Sequence, residues 1–161
     1  MKILYYDCFS GISGDMNLGA LTDLGVGREY LSGELQKLNI SGYEIRFSEE
    51  QRKGITGTQV KVMLEDRGHG HGHGHGHGHG HEHDHHHHHK HRNLHDIKRI
   101  INDSSLPENV KKMSSDIFLL VARAEAKIHG KPLDEVHFHE VGAVDSIIDI
   151  VGAAICIDFL K

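Results

Sequence analysis

The sequence has few cysteines and no long hydrophobic run. Its 161 residues include two cysteines, Cys8 and Cys156, which lie far apart in a chain long enough to form a hydrophobic core. A disulfide framework is therefore not predicted. The most apolar run, residues 147–160, is interrupted by Asp149 and Asp158, two predicted structural carboxylates, and it is shorter than the roughly 20 residues that a membrane span needs. The first residues also lack the apolar region of a signal peptide. We therefore expect a soluble protein of the reducing cytoplasm with no membrane partner.

An excess of positive charge is also absent. The 18 Lys and Arg residues are outnumbered by 23 Asp and Glu residues, which gives a formal net charge of −5 at pH 7. A nucleic-acid-binding face or a membrane-binding polybasic segment would require a basic balance. Neither nucleic acid nor a membrane surface is therefore predicted as a partner.

Hydrophobic residues are missing altogether from residues 68–92, which are rich in glycine and histidine. Of the 18 histidines in the chain, 15 lie between His69 and His95. A segment with no apolar side chain to bury cannot offset the entropy lost on ordering. The sequence therefore predicts a disordered insert over residues 68–92, within one globular domain formed by residues 1–67 and 93–161.

The histidines of this insert predict a role in metal capture. Neutral imidazole binds zinc, copper, iron and nickel, and adjacent copies on a flexible chain can share each ion. A low-complexity linker and a pH-responsive interaction tail are the alternatives. The metal-binding histidines predicted in the insert are His69, His71, His73, His75, His77, His79, His81, His83, His85, His86, His87, His88, His89 and His91.

The spacing of apolar residues predicts an α/β or α+β fold, a layered domain in which helices pack on a small mixed sheet. Residues 2–6 are predicted to form a buried first strand, and residues 43–48 and 58–65 two further strands with one buried face each. Helices are predicted after residue 13, over residues 29–38, after Asn93 or Asp96, after Pro107 and over residues 144–160. The last helix is apolar nearly all round, which indicates the centre of the domain.

The first compact motif, residues 7–16, combines hydroxyl groups and glycines with the start of a helix. Backbone N–H groups at such a position suit a phosphate or carboxylate ligand. The motif is not a P-loop, because no lysine follows Gly14, and Asp15 would repel a bare phosphate unless a metal ion bridged them. Asp7 and Cys8 are either structural or metal ligands. The predicted phosphate-binding residues are Ser10, Gly11, Ser13, Gly14 and Asp15.

The second compact motif, residues 137–149, brings histidines and carboxylates to the start of the last helix. In an extended segment His137 and His139 project from one face while the phenylalanine between them packs inward. Glu140 and Asp145 follow, and this donor set suits a first-row divalent ion with open coordination positions. The alternative is that the histidines are satisfied core residues and Asp145 caps the helix.

Both motifs, DCFSGISGDM at residues 7–16 and HFHEVGAVDSIIDIVG at residues 137–152, resemble those of the LarC family of nickel insertion proteins, as does the His-rich insert between them. The resemblance implies insertion of Ni²⁺ into pyridinium-3,5-bisthiocarboxylic acid mononucleotide, a chelatase- or lyase-type activity. The implied cofactor of the reaction is CTP with Mn²⁺ or Mg²⁺. The product would be the nickel-pincer cofactor of enzymes such as lactate racemase.

The resemblance also implies roles for residues and partners. The insert would collect Ni²⁺, the second motif would pass it on, and Ser10–Asp15 would bind the phosphate of the thiocarboxylated mononucleotide. Family members are longer, so the C-terminal half of the same protein is an expected partner and the expected place for CTP, with a racemase as recipient. Cys8 departs from the family, which often has proline there, and receives no catalytic role. A non-enzymatic nickel or zinc store or a metallochaperone is the competing hypothesis, and a homo-oligomer is left open.

Overall fold

A computed structural model describes residues 2–65, 92–138 and 141–161, and for His137 it describes the backbone alone. The predicted mixture of helices and a small sheet is confirmed. The elements in these ranges are α1 (Gly14–Asp23), α2 (Arg28–Gln36), β1 (Tyr43–Arg52), β2 (Ile55–Leu64), β3 (Arg92–Asn93), α3 (Leu94–Asn102), α4 (Glu108–His129), a 3₁₀ turn (Leu133–Glu135), β4 (His137–Phe138) and α5 (Val144–Phe159).

Strands β1 and β2 form an antiparallel hairpin whose register runs from Tyr43 opposite Leu64 to Arg52 opposite Ile55. The two turn residues, Lys53 and Gly54, both have positive φ, at 50° and 83°. This is the geometry of the two-residue hairpin turn that matches the twist of the strands. The alternation of apolar residues then gives the hairpin one face that packs on the core through residues such as Phe47, Val60 and Val62, as predicted, whereas Leu64 at the end of that face is 45 % exposed.

Local sequence signals fix the ends of several helices. Asn93 and Asp96, the two alternative caps of α3, act together in a capping box: the Asp96 N–H donates to Asn93 Oδ1 at 2.9 Å, and the Asn93 N–H donates to Asp96 Oδ2 at 3.3 Å. Helix α4 follows Pro107 and ends at Gly130, which adopts the left-handed conformation with φ 61°. Glycine is favoured there because it has no Cβ to clash.

Helix α5 lies at the centre of the domain, as its composition predicts. Residues 151–156 are all buried, and the helix packs against α1, α2, α4 and β2. Glycines allow the closest approaches: a Cβ on Gly152 would lie 2.9 Å from Leu18 Cδ2 of α1, and a Cβ on Gly19 would overlap the carbonyl oxygen of Thr58 in β2. Helix α1 is therefore held tightly between α5 and the hairpin.

The predicted first strand is wrong. Residues 2–6 form no strand, and the side chains of Ile3 and Tyr5 are 78 % and 80 % exposed. A strand needs a hydrogen-bonded neighbour, and in the described ranges β1 pairs with β2 and β3 with β4. Both of those pairs are antiparallel, so the sheet described is not of mixed direction.

The predicted end of the insert also shifts by one residue. Arg92 is the first residue of β3, where it pairs with Phe138, and its Nη1 donates to the carbonyl oxygen of Gly142 at 2.8 Å. Arg92 therefore belongs to the folded domain. The rest of the insert lies outside the described residues. Among the helices that the structure describes, none is long and apolar enough to cross a bilayer.

Candidate metal and substrate site

The two compact motifs meet where the start of α1 packs against the first turns of α5. A Cβ on Gly14 would overlap the side-chain carboxylate of Asp149, so only glycine allows this contact without a shift. Helices α1 and α5 share one of the larger interfaces of the domain. Two motifs separated by 120 residues in sequence are thereby joined at one place in the fold.

Three carboxylates, from Asp15, Asp145 and Asp149, surround this contact. Partial burial raises the pKa of Asp149 to about 7, and the negative charges of Asp15 and Asp145 act in the same direction. Among the residues that the structure describes, one oxygen of Asp149, Oδ1, is buried without a hydrogen-bond partner. An unpaired buried carboxylate oxygen is costly, so a structural role alone does not account for this oxygen.

Asp145 lies in the first turn of α5, and its Oδ1 accepts a hydrogen bond from the Ser146 N–H at 2.8 Å. The N-cap residue is Ala143, which has no side-chain acceptor. Asp145 is thus not the N-cap residue but lies two residues after it, where its side chain accepts from an N–H group of the first turn. A carboxylate there is also favoured by the helix dipole.

The predicted phosphate-binding residues have several different roles in the structure. The Ser13 hydroxyl caps α1 by accepting a hydrogen bond from the Met16 N–H at 3.3 Å. Gly11 has φ 84° and its N–H donates to the carbonyl oxygen of Cys8 at 2.9 Å, while Ser10 is exposed in the same turn. Gly14 packs on Asp149, and Asp15 joins the carboxylates. Phosphate binding by this loop stays a prediction, and three nearby carboxylates reinforce its need for a bridging cation.

The histidines of the second motif are only partly described. His137 lies in β4, with its backbone opposite Asn93, and Phe138 is 1 % exposed and packs beside the ring of Phe118, with centroids 6.3 Å apart. Phe138 therefore points inward, as predicted. The side chain of His137, all of His139 and Glu140, and the histidines of the insert lie outside the described residues, so their assignment as ligands stays a prediction.

The acidic cluster is not a complete ligand shell by itself. Among the residues that the structure describes, no group of three or more His, Cys, Asp or Glu side chains is placed to hold a metal ion. A divalent ion bound here would need further donors, and His139 and Glu140 belong to the segment that directly precedes α5.

A cavity of about 570 Å³ opens beside the cluster, between α1 and the hairpin. Ser13 and Asp15 line it from α1, and Arg52 lines it from β1. Nη2 of Arg52 lies 3.1 Å from Glu50 Oε2 in an exposed ion pair. The volume falls within the roughly 300–1,000 Å³ usual for small-molecule sites. The cavity therefore offers room for a mononucleotide next to the carboxylates.

Asp23 shapes the far end of this cavity. Its Oδ2 accepts a hydrogen bond from the Thr58 N–H at 2.9 Å, and hydrogen bonds from Thr58 lower the pKa of the Asp23 carboxyl. The bond ties the end of α1 to β2, so it supports the wall of the cavity.

Sequence reasoning included Asp149 in the second motif but favoured a structural role for it, although its place four residues after Asp145 puts both carboxylates on one helix face. It missed Arg52 altogether. Arg52 belongs to no motif, and its place depends on how the hairpin packs against α1. No sequence signal identifies it.

A family model described as "Nickel insertion protein" matches residues 4–161. The chain therefore belongs to the nickel insertion protein family. It is 64 % identical, over its whole length, to the pyridinium-3,5-bisthiocarboxylic acid mononucleotide nickel insertion protein of Clostridium acetobutylicum, and covers 41 % of that relative. It is 59 % identical to the protein of the same name in Clostridium kluyveri and covers 38 % of it.

A putative nickel insertion protein of Dictyoglomus thermophilum is 45 % identical, with 36 % of its length covered. The chain thus spans about two fifths of the length of these curated relatives. No solved structure matches the chain.

Proposed function

We propose that this chain supplies the nickel-binding and substrate-binding part of a protein that inserts Ni²⁺ into pyridinium-3,5-bisthiocarboxylic acid mononucleotide. One observation carries the proposal: Gly14 of the first motif packs directly on Asp149 of the second, and three carboxylates surround that contact. Family membership and the names of the relatives support nickel as the ion.

In this proposal the insert collects Ni²⁺ from solution and the second motif receives it. His137, His139, Glu140 and Asp145 are the proposed ligands, and Asp149 offers an oxygen that has no partner among the described residues and that a cation would satisfy. Imidazole nitrogen suits Ni²⁺ well, whereas carboxylate oxygen is a harder donor. A site with both kinds of donor binds the ion but releases it to a ligand whose donors bind Ni²⁺ more strongly.

The mononucleotide would lie in the cavity beside the cluster, with its phosphate at Ser10–Asp15 and Arg52 on the opposite wall. Arg52 would exchange its exposed ion pair with Glu50 for the phosphate, which an arginine side chain can bind through two parallel hydrogen bonds. The thiocarboxylate sulfurs are softer donors than carboxylates. Transfer of Ni²⁺ from the oxygen donors of the protein to the sulfur donors of the substrate would therefore be favourable.

Several finer elements of the proposal belong to the longer protein. CTP with Mn²⁺ or Mg²⁺ is assigned to the C-terminal half, which we propose as the partner of this chain. The overall activity would be that of a nickel chelatase or metal-inserting lyase. The nickel-pincer product would pass to a recipient such as lactate racemase.

Nickel binding tests the proposed site directly. Equilibrium dialysis is performed on a chain lacking residues 68–91, so that the insert does not mask the site. Asp149→Asn and Asp145→Asn are each expected to weaken binding about tenfold or more, the usual loss when a metal site is disturbed. Asp158→Asn is the matched control, because this carboxylate lies at the other end of α5, paired with Lys161. Equal binding by all three variants would contradict the proposed site.

Insertion itself is tested with a complete protein, Ni²⁺, CTP and the thiocarboxylate precursor, by following the absorbance of the nickel-pincer product. Deletion of the insert is expected to leave turnover intact at saturating Ni²⁺, whereas His139→Ala and His137→Ala abolish it. Unchanged turnover in both histidine variants would remove them from the proposed ligand set.

The histidine content of the insert favours one second candidate, a non-enzymatic nickel or zinc store or metallochaperone. It predicts many ions bound per chain, all lost with residues 68–91, and no dependence on nucleotide. The dialysis experiment separates the two functions, because a store retains no specific site after the insert is removed.

A further inference from the structure

The N-terminal segment, residues 2–7, has the side-chain pattern of a strand but no strand beside it. Ile3 and Tyr5 are 78 % and 80 % exposed, whereas Leu4 and Tyr6 are 40 % and 44 % exposed. This alternation has the period of two that strands have. Tyr6 faces the domain near α5, where burial and the Cys156 thiol both raise the pKa of its hydroxyl. One face of the segment therefore rests on the core and the other faces outward.

The backbone N–H and C=O groups of the segment also lack protein partners within the described residues. No backbone hydrogen bond between described residues involves residues 2–7. Unpaired N–H and C=O groups next to exposed apolar side chains form a template for another strand. Isolated exposed hydrophobic residues are ordinary, but contiguous ones mark interaction sites.

The apolar surface extends beyond the segment itself. Phe9, Ile12 and Met16 follow it and are 93 %, 46 % and 60 % exposed. Elsewhere in the described ranges the large exposed hydrophobic residues are spread along the chain, as Ile55, Leu120 and Ile128 illustrate. The apolar side chains of residues 3–6, together with Phe9, Ile12 and Met16, are thus left uncovered by the rest of the described domain.

We propose that residues 2–7 form an edge strand that pairs with a strand from the part of the longer family members that this chain does not cover. Relatives that match the whole chain are more than twice its length, so their additional polypeptide is tethered to the same domain. Tethering gives a partner an effective concentration of the order of millimolar for short linkers, which favours it over a second copy of the chain. The inference deepens the proposed partnership with the C-terminal half and rests on it.

Amide hydrogen exchange tests the pairing. The 161-residue chain is compared with a full-length chimera in which it replaces the matching part of the Clostridium acetobutylicum relative. Residues 2–7 are expected to exchange at least about a hundredfold more slowly in the chimera, because paired amides of a strand open rarely. Equal exchange in the two proteins would overturn the proposal. Protection that rises with concentration in the 161-residue chain would overturn it in favour of a second copy.

Paired variants test the apolar face independently. In the chimera, Ile3→Asp is expected to lower the Tm by at least about 4 °C, whereas Ile128→Asp, at a residue on α4 with 76 % exposure, leaves it nearly unchanged. In the 161-residue chain the two variants should behave alike. If Ile3→Asp lowers the Tm of the chimera no more than Ile128→Asp does, the proposed pairing of residues 2–7 is contradicted. If the chimera is insoluble, exchange of the aligned residues in the natural relative gives the same decision.

These measurements involve no nickel. Loss of nickel binding in the dialysis experiment would overturn the proposed function and leave the exchange result standing. Rapid exchange of the amides of residues 2–7 in the chimera would overturn only the proposed strand pairing and leave the proposed function standing.

Discussion

The acidic and the apolar residues of α5 have opposite characters within one helix. Asp145 and Asp149 approach Asp15, and one Asp149 oxygen has no hydrogen-bond partner among the described residues, whereas the two isoleucines between them and residues 151–156 are buried in the apolar core. Desolvation and like charges disfavour the first arrangement, and hydrophobic burial favours the second. The difference indicates that the buried residues hold the carboxylates in a position that the carboxylates would not adopt alone.

The largest expected effect lies among the buried apolar residues of α5. Ile155 is 1 % exposed, and Ile155→Ala is expected to lower the free energy of unfolding by about 2–5 kcal/mol, through lost burial and the cavity left behind. Urea denaturation measures the change. Ile128→Ala, at a position with 76 % exposure, serves as the control and should stay within about 0.5 kcal/mol. Similar losses in the two variants would mean that α5 does not anchor the domain.

The contact between the motifs should show the next largest effect. Gly14→Ala is expected to destabilise the chain by about 1–3 kcal/mol, because the new methyl group would overlap the Asp149 carboxylate. The Cβ of Asp149 would also overlap the new methyl group, so the matched background is Asp149→Gly, in which no side chain remains and the same substitution at Gly14 should cost much less. A double-mutant cycle by urea denaturation measures this coupling. Additive effects would show that Gly14 and Asp149 do not touch.

The raised pKa of Asp149 predicts a pH dependence of stability. The folded carboxyl has a pKa of about 7 and the unfolded one about 3.8, so between these values the folded state binds more protons. Unfolding free energy therefore falls as pH rises from about 4 to 7 and stays reduced above that. Because the group is partly exposed to screening solvent, we expect a loss of about 1–2 kcal/mol. Asp149→Asn should remove most of this loss in unfolding curves at pH 5 and pH 8. If the unfolding free energy of Asp149→Asn fell with pH as much as that of the unsubstituted chain, another group would be responsible for the pH dependence.

The carboxylate at the far end of α5 should matter least. Asp158 pairs with the partly exposed Lys161, and exposed ion pairs contribute about 0–1 kcal/mol. Asp158→Asn is therefore expected to change the free energy of unfolding by no more than about 0.5 kcal/mol in the same experiment. If Asp158→Asn lowered the free energy of unfolding as much as Gly14→Ala does, the carboxylates at the two ends of α5 would not differ in their importance for stability.

Local signals in the sequence predicted most helices, because the information needed lies within each segment. Gly130 ends α4, Asn93 with Asp96 starts α3, and the apolar composition of α5 marks the centre of the domain. Contacts between segments far apart in the sequence could not be predicted in this way. The alternation in residues 2–6 is real, but a strand also needs a neighbour, and the described chain offers none.

The site shows the same division. Both motifs could be read from the sequence, yet nothing in their spacing indicates that Gly14 packs on Asp149, because that contact depends on which helices lie side by side. Arg52 enters the cavity only through the packing of the hairpin on α1. The structural interpretation of Asp149 did not anticipate its acidic neighbours, because an apolar run says little about which side chains a single carboxylate meets.

The close approach of α1 to its two neighbours has an evolutionary consequence. A Cβ at Gly19 would overlap the main-chain carbonyl oxygen of Thr58, and a Cβ at Gly14 or Gly152 would crowd the side chain of Asp149 or Leu18. A larger residue at any of the three positions would push α1 away from a neighbour, because side-chain volume sets the distance between packed elements. Buried leucines and isoleucines can exchange for one another at small cost, whereas these glycines cannot be replaced without a shift. The alignment of the two motifs is thus most vulnerable at positions that carry no side chain at all.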